Sequence, residues 1–301
     1  MRVVSLLPSA TEIVFALGRG DDLVGVSFEC DHPPAARTKP VVSGTALPAD
    51  APLDAGAIDA AVRERMRAQE PIYTLDQERI RDARPDVILA QDLCRVCAVP
   101  SGAVEEALDV LGCRAEVVSL DPTRLDEVID GVERVGAVLG EEARAAALAR
   151  ELRERVEAVR QRVAGLPRPP VLALEWSDPP FDAGHWLPDM IEAGGGTPLL
   201  ARAGARSRER TWREIADTVT DECVVLFMPC GYSLDATVAE GRTVAQRPEL
   251  AAARAVWAVA GDAYFSRPGP RVVDGVELVA QVLHPDVAGE PSARDAIRLR
   301  P

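Results

Sequence analysis

The sequence predicts a mixed α/β fold made of two lobes with mainly parallel sheets, joined by one long helix. Three observations lead to this prediction. The chain has 301 residues, which exceeds the usual size of a single domain. Short β-branched runs alternate with helical patterns in both halves, as expected of parallel strands connected by crossover helices. A long amphipathic pattern lies between the two sets of strands.

The first lobe is predicted over residues 1–122, with strands in the runs VVSLL, LVGVS, VILA and EVVSL. The first strand stops at Pro8, and Ser9 and Glu12 have the spacing of a capping box that starts a helix. This helix begins at the carboxyl end of a strand, where the binding crevices of open α/β sheets lie. Residues 44–70 are rich in Ala, Asp and Pro and are predicted to be an insertion with one helical segment.

A connecting helical segment is predicted over residues 123–169, and the second lobe over residues 170–301. Apolar residues recur in the connecting segment at spacings of three and four, which predicts one long amphipathic helix around 141–164. These residues are Leu148, Leu152, Val156, Val159 and Val163. The Pro-rich LPRPP then leads into the strands of the second lobe, VLALEW, VVLFMP and AVWAVA.

Charge and hydropathy exclude some classes of partner. The chain has 48 acidic and 34 basic side chains and a net charge of −14, which repels phosphate backbones and anionic lipids. Nucleic acid is therefore not expected as a partner. No stretch approaches the about 18 uncharged apolar residues that span a bilayer. The opening MRVVSLLPSATEIVFALG lacks the pattern of a secretory signal, so the sequence predicts a cytoplasmic protein with reduced thiols.

Motifs along nearly the whole chain resemble one family. RVVSLLPSATEIVFALG, LVGVS and CDHPP open the chain, and RPDVILA, PPFDAG, MIEAGGG, TWREIA and YFSRPGPR follow. In this order and spacing they resemble the class III substrate-binding proteins of ABC transporters, above all the cobalamin-binding branch. The resemblance implies a ligand cleft between two lobes, a corrinoid such as cobalamin as ligand, and an ABC transporter permease as partner. It favours a binding protein over an enzyme.

The resemblance also implies which residues contact the ligand. In the cobalamin-binding branch, aromatic and small polar residues of both lobes surround the corrinoid. The residues of this chain that match those motifs are Pro8, Ser9, Pro180, Phe181, Trp212, Tyr264, Phe265 and Arg271. Residues 44–53 contain no Trp, Tyr or Phe, although the family often supplies an aromatic contact there.

The segment LEWSDPPFDAGHWLPDM adds three candidates from its own composition, namely Trp176, His185 and Trp186. Aromatic side chains that follow a strand can stack on a flat ligand, and a histidine can be an axial ligand of cobalt or iron. The alternative for Trp186 and Phe181 is packing in the core. The alternative for His185 is a structural hydrogen bond.

Four cysteines share one position in the predicted topology. Cys30, Cys94, Cys97 and Cys230 each follow the carboxyl end of a predicted strand, whereas Cys113 and Cys223 precede strands and are expected to be buried hydrophobes. Four thiols at strand ends could hold zinc or an iron–sulfur cluster, or could be ordinary buried cysteines. Two functions therefore stay open: a binding protein for a corrinoid or similar metallo-ligand, and a metal or iron–sulfur protein, possibly enzymatic, that uses these cysteines.

Overall fold

The structure is a computed structural model, and it describes most of the chain. The described residues are 1–47, 54–92, 102, 104 and 114–300. The chain forms two compact units. Unit 1 comprises Met1–Pro122 and Asp130–Ala149, and unit 2 comprises Thr123–Ile129 and Arg150–Pro301.

Unit 1 contains a four-stranded parallel sheet. Its strands are β1 (Val3–Ser5), β2 (Leu23–Val26), β5 (Val87–Ala90) and β6 (Glu116–Ser119), in the spatial order β2–β1–β5–β6. Strand β1 pairs in parallel with both β2 and β5, and β5 pairs in parallel with β6. Two further strands, β3 (Ser43–Thr45) and β4 (Tyr73–Leu75), form a separate antiparallel pair.

Three described α-helices of unit 1 precede the connecting segment: α1 (Pro8–Ala16), α2 (Ala55–Arg67) and α3 (Gln77–Ala83). Helix α1 begins at Pro8, because proline has the φ angle of a helix and lacks only an N–H that would have no partner there. Its N-cap is Leu7, and no side chain caps it. The predicted capping box is therefore wrong: Ser9 and Glu12 lie within the helix and are buried.

The connecting segment contains two helices where the sequence pattern predicts one. Helix α4 (Leu125–Leu139) precedes α5 (Glu142–Arg162), and the latter agrees closely with the predicted helix. Gly140 separates them with a φ of +69°, in the left-handed region that favours glycine. No helix of the described residues is both long and apolar enough to cross a membrane.

Unit 2 is built on a larger, mainly parallel sheet. Its strands are β7 (Pro170–Ser177), β8 (Pro180–Asp182), β9 (Thr197–Pro198), β10 (Val224–Phe227), β11 (Ala255–Val259) and β12 (Ala296–Arg300). The order is β12–β11–β10–β7–β8, with β9 also beside β7. Strands β7, β9, β10 and β11 pair in parallel, and β8 and β12 are antiparallel to their neighbours.

Helices connect the strands of unit 2 along the chain. They are α6 (Leu187–Ala193), α7 (Trp212–Thr218), α8 (Leu234–Val244), α9 (Gly261–Tyr264), α10 (Val272–Leu283) and α11 (Pro285–Ala288). All four residues of β10 are buried, as expected of a parallel strand covered on both faces. The predicted fold class is confirmed, because each unit is an α/β structure with a mainly parallel sheet.

Candidate functional site

The carboxyl ends of β7 and β10 bring two aromatic side chains together. The rings of Trp176 and Tyr232 meet edge to face, with centroids 5.6 Å apart and planes at 77°. The turn after β10 is tied to β7, because the N–H of Cys230 donates to the carbonyl oxygen of Glu175. Both rings are only partly buried. The edge of the unit 2 sheet thus presents an aromatic surface that a flat ligand can contact.

Strand β8 folds back on β7 and places Phe181 opposite Trp176. Phe181 is half-buried and also bridges to Glu209. At the end of β7, the hydroxyl of Ser177 donates to the carboxylate of Glu240, which lies on α8. This hydrogen bond ties α8 to the end of β7.

His185 lies in a constrained backbone position. Its φ is +53°, and its N–H donates to the carbonyl oxygen of Ala205 at 2.6 Å while its own carbonyl accepts from the N–H of Gly204 at 3.0 Å. The Nε2 atom is buried and has no hydrogen-bond partner among the residues that the structure describes. Burial, together with the positive charge of Arg206, lowers the pKa of this imidazole below its usual value. The ring is therefore neutral at neutral pH.

Trp186 and Phe265 belong to the core of unit 2. Only 5% of Trp186 and 2% of Phe265 is exposed. The indole Nε1 of Trp186 donates to the carbonyl oxygen of Phe265 at 3.0 Å, so the polar atom of the buried indole has a partner. This geometry agrees with the alternative interpretation of Trp186, which is packing in the core.

Tyr264 and Arg271 lie beside each other at the end of α9 and the start of α10. The Arg271 guanidinium is 6.0 Å from the centroid of the Tyr264 ring. The Tyr264 hydroxyl donates to Asp295 Oδ1 at 2.7 Å. Burial and this hydrogen bond raise the pKa of Tyr264 above its usual range, so the phenol stays protonated. The hydrogen bond fixes the orientation of a half-buried ring.

Trp212 is placed differently from the other candidate aromatics. It is the first residue of α7, after a capping box formed by Thr211 and Glu214. Its indole packs against the apolar cluster of unit 2, and the guanidinium of Arg247 lies 3.9 Å from the ring centroid. None of the aromatic ring pairs seen among the described residues includes Trp212.

The carboxyl end of β1 in unit 1 carries a buried polar cluster beneath Pro8 and Ser9. Ser9 is buried and Pro8 is partly buried at the start of α1. The Thr11 hydroxyl lies 2.9 Å from Ser5 Oγ and 3.1 Å from Cys30 Sγ. Cys30 is only 4% exposed. Its thiol is thus buried in contact with the Thr11 hydroxyl of the same unit.

The structure gives the four-cysteine hypothesis no support. Cys94, Cys97 and Cys113 lie outside the described residues. Cys30 is buried, and Cys230 is exposed after β10. Within the described ranges, no three Cys, His, Asp or Glu side chains come together to hold a metal ion. An iron–sulfur or zinc centre therefore rests on the sequence pattern alone.

Cys223 behaves as the sequence predicts. It is fully buried, and burial raises the pKa of its thiol to about 11. At neutral pH this thiol is protonated and inert.

Three aromatic residues that form ring pairs in the structure are not among the candidates from the sequence. Tyr232 is one. The others are Phe28, which follows β2 and is 42% exposed, and Tyr73, whose ring centroid is 6.2 Å from that of Phe28. Tyr73 pairs with Thr45 across β3 and β4, so strand pairing places an aromatic residue beside Thr45. Phe28 and Tyr232 both follow predicted strands, as the four candidate cysteines do. Their position after a strand is therefore the feature of the sequence that could identify them.

Each α/β unit has a parallel sheet and an aromatic pair with one member just after a parallel strand, Phe28 after β2 and Tyr232 after β10, and crevices at such strand ends are where open α/β sheets bind ligands. The comparison with known families agrees. The chain belongs to the Periplasmic binding protein family, whose sequence profile matches residues 3–257. It is a class III substrate-binding protein, as the sequence motifs indicate.

Individual relatives extend over nearly the whole chain. The vitamin B12-binding protein of Vibrio cholerae serotype O1 (strain M66-2) is 26% identical over 289 residues, which cover 94% of this chain and 88% of that protein. An uncharacterized ABC transporter substrate-binding lipoprotein of Bacillus subtilis (strain 168) is 22% identical over 299 residues, covering 96% and 82%. The crystal structure of a periplasmic heme-binding protein from Pseudomonas aeruginosa has a TM-score of 0.70 at 22% identity, covering 99% of this chain and 97% of that chain. This last likeness shows the fold.

The expected cytoplasmic location is wrong. The family is one of periplasmic binding proteins, and the relatives include a lipoprotein and a periplasmic protein. The expectation rested on the first residues of the sequence, but these form β1 and α1 of the fold itself. They therefore carry no information about the compartment. As a substrate-binding protein of the ABC transporter class, the protein takes a small-molecule ligand and works with a permease.

Proposed function

We propose that the protein binds a flat, cyclic metallo-ligand, with cobalamin as the first candidate, for uptake by an ABC transporter. The observation that carries this proposal is the partly exposed Trp176–Tyr232 pair at the carboxyl ends of β7 and β10. The vitamin B12-binding relative from Vibrio cholerae supports the choice of cobalamin.

The aromatic surfaces fit the physical properties of a macrocycle. A corrin or porphyrin presents a wide face with little hydrogen-bonding capacity, and each aromatic contact contributes about 1 kcal/mol beyond simple burial. The Phe28–Tyr73 pair of unit 1 offers a second exposed aromatic surface. Each pair can be tested on its own, without an assumption about how the two units are arranged.

Heme is the second candidate, and His185 is the residue that favours it. The imidazole is neutral and its buried Nε2 has no partner in the described part of the chain, so its lone pair can coordinate a metal once the side chains that cover it move aside. The structural likeness to the periplasmic heme-binding protein from Pseudomonas aeruginosa is consistent with this candidate. Under this proposal His185 is an axial ligand of the bound iron or cobalt.

Substitution of one tryptophan tests the proposed surface. We expect Trp176→Leu to weaken cobalamin binding about tenfold, which corresponds to the loss of about 1.4 kcal/mol of contact energy. The matched control is Trp257→Leu, because Trp257 lies within β11 of the same unit and is also partly buried. Equal loss of binding in both variants would show that the substitutions act through the stability of unit 2. The proposed contact between the Trp176–Tyr232 pair and the ligand would then be wrong.

The absorption spectrum tests the role of His185 separately. Coordination by an imidazole changes the spectrum of bound aquocobalamin or hemin, so the wild-type complex should differ from that of His185→Ala. Identical spectra would exclude His185 as a metal ligand and would leave the aromatic surface untouched.

A further inference from the structure

One buried hydroxyl group of unit 1 lacks a hydrogen-bond partner. Ser43, the first residue of β3, is 7% exposed, and its Oγ atom has no partner among the residues that the structure describes. A buried hydroxyl without a hydrogen bond costs stability, so most buried polar groups in folded proteins are paired. An exception needs an explanation, and a ligand that supplies the missing partner is one.

Strand pairing places this hydroxyl on the face that carries Tyr73. In the antiparallel pair of β3 and β4, Ser43 lies opposite Leu75. Two residues further along β3, Thr45 lies opposite Tyr73. Residues that lie opposite each other share a face of the pair, and so do residues two positions apart on one strand. The side chains of Ser43 and Tyr73 are therefore diagonal neighbours on the same face.

Phe28 lies at the same place. The last residue of β2, Val26, forms an isolated parallel bridge with Val41. Phe28 and Ser43 each follow this bridge by two residues, and the two chains run in the same direction. The centroid of the Phe28 ring is 6.2 Å from that of Tyr73. The buried hydroxyl thus lies beside the aromatic pair of unit 1.

We propose that the Ser43 hydroxyl donates a hydrogen bond to an amide side chain of a corrin ring, and that acidic residues near it select amides over carboxylates. This inference rests on the proposed function, because it takes the Phe28–Tyr73 pair as a surface for a macrocycle. A corrin such as that of cobalamin carries primary amides at its rim, whereas heme carries propionates. An amide accepts a hydrogen bond at its carbonyl oxygen and donates from its NH₂ group.

The charge at this edge of the sheet favours the amide. The carboxyl ends of the parallel strands β2, β5 and β6 lie at one edge of the sheet. Within the next four positions, the described residues after these strands include Glu29, Asp92 and Asp121 but no Lys or Arg. Carboxylates accept hydrogen bonds from the NH₂ group of an amide, and they repel the negative charge of a propionate. An amide therefore has partners for both of its ends, and a propionate does not.

The ligand reaches the Ser43 hydroxyl when a neighbouring side chain moves. The Oγ atom is buried, whereas the adjacent Phe28 is 42% exposed. Rotations of side chains are common when a ligand binds, and an exposed ring loses few contacts when it turns. We therefore expect the Phe28 ring to turn as the amide side chain enters.

The test compares Ser43→Ala with Ser5→Ala in the full chain. Each variant removes a buried hydroxyl of unit 1, but that of Ser5 donates to the Leu7 carbonyl and accepts from the Thr11 hydroxyl. The probe is cobinamide, a corrin that keeps its amide side chains. In calorimetric titrations, Ser43→Ala should bind it about fivefold more weakly than wild type, the usual effect of one lost hydrogen bond, and Ser5→Ala should bind it unchanged.

Thermal unfolding, followed by circular dichroism, should show the opposite order. Ser5→Ala should lower the melting temperature, because it breaks two hydrogen bonds. Ser43→Ala should not lower it, because it removes a hydroxyl that has no partner. Unchanged cobinamide binding by Ser43→Ala would overturn the proposal. A fall in its melting temperature equal to that of Ser5→Ala would do the same, since the hydroxyl would then have a structural role.

Cobyrinic acid tests the chemical class of the ligand, because it has the corrin ring with carboxylates in place of the amides. Wild type should bind it more weakly than cobinamide. Glu29→Gln should narrow this difference, whereas Glu116→Gln should not, because Glu116 is exposed at the amino end of β6, on the opposite edge of the sheet. Equal narrowing by both variants, or equal affinity of wild type for both corrins, would overturn the proposed selection.

Failure of the proposed function gives a different result. If wild type binds neither corrin and no hemin, the proposed function and this inference are both wrong. If wild type binds cobinamide and Ser43→Ala binds it equally well, only the role of Ser43 is wrong.

Discussion

Replacement of Asp182 by Asn should destabilise unit 2 strongly. Asp182 is 1% exposed, and its carboxylate accepts hydrogen bonds from the N–H of Arg208 and the guanidinium of Arg210. Asparagine keeps the shape and one acceptor oxygen but removes the charge that compensates Arg210. The guanidinium of Arg210, whose side chain is 12% exposed, is then left without its anionic partner.

The expected cost follows from this burial. Removal of one partner from a buried ion pair costs about 3–5 kcal/mol, and the lower end applies here because Arg210 keeps a bond to the Leu200 carbonyl. With a urea dependence of about 2 kcal/mol per molar, a loss of about 3 kcal/mol lowers the unfolding midpoint by about 1.5 M. A surface pair should respond much less. Asp217→Asn removes the partner of Arg213 on α7 of the same unit, and this change should cost less than about 1 kcal/mol.

Tryptophan fluorescence in a urea titration is a suitable assay, because it reports on unit 2 alone. All four tryptophans of the chain lie there: Trp176, Trp186, Trp212 and Trp257. A midpoint for Asp182→Asn within about 0.3 M of wild type would refute the reasoning, since the ion pair would then contribute no more than a surface pair.

Two further predictions concern cysteine reactivity and pH. Under native conditions, iodoacetamide should modify the exposed Cys230 and should leave Cys30 and Cys223 unmodified until urea unfolds the protein. Peptide mass spectrometry measures the labelling. Rapid labelling of Cys223 in the native protein would contradict its burial and its raised pKa. Because the pKa of His185 is lowered in the folded protein, the unfolded chain binds a proton at this histidine at a higher pH than the folded chain does. The urea midpoint of unit 2 should therefore fall as the pH decreases below 6.5, the ordinary pKa of histidine. It should level off once the pH is below the folded pKa. His185→Asn should reduce this dependence, and an unchanged pH profile would show that Arg206 and burial do not act on the imidazole as described.

The sequence predicts the fold because the spacing of its apolar residues shows which side chains are buried. β-branched runs such as Val224–Phe227 are buried on both faces of a parallel sheet, and the apolar spacing in 142–162 marks the buried face of a helix. The break between α4 and α5 is harder to predict. A glycine within a helical pattern is often tolerated, and only the backbone shows that Gly140 takes a left-handed φ.

The candidate site is less predictable, because a position after a strand does not show where a side chain points. Trp176, Trp186 and Phe265 are all candidates from the sequence, yet Trp186 and Phe265 are buried in the core while Trp176, near the end of β7, is partly exposed. Ring pairs depend on contacts between residues that are far apart in the sequence. The rings of Tyr73, on β4, and Phe28, after β2, come together although they are far apart in the sequence, and no local pattern records that contact.

Direct titration of the purified protein with a macrocycle tests the central claim. Isothermal calorimetry with cobalamin, and in parallel with hemin, measures whether the wild-type protein binds a flat metallo-ligand at all. We expect a stoichiometric complex with at least one of them and a Kd of about 1 µM or lower, equivalent to about −8 kcal/mol. The absence of heat and of any spectral change for both ligands at concentrations up to about 1 mM, where binding energies of about −4 kcal/mol become detectable, would contradict the proposed function.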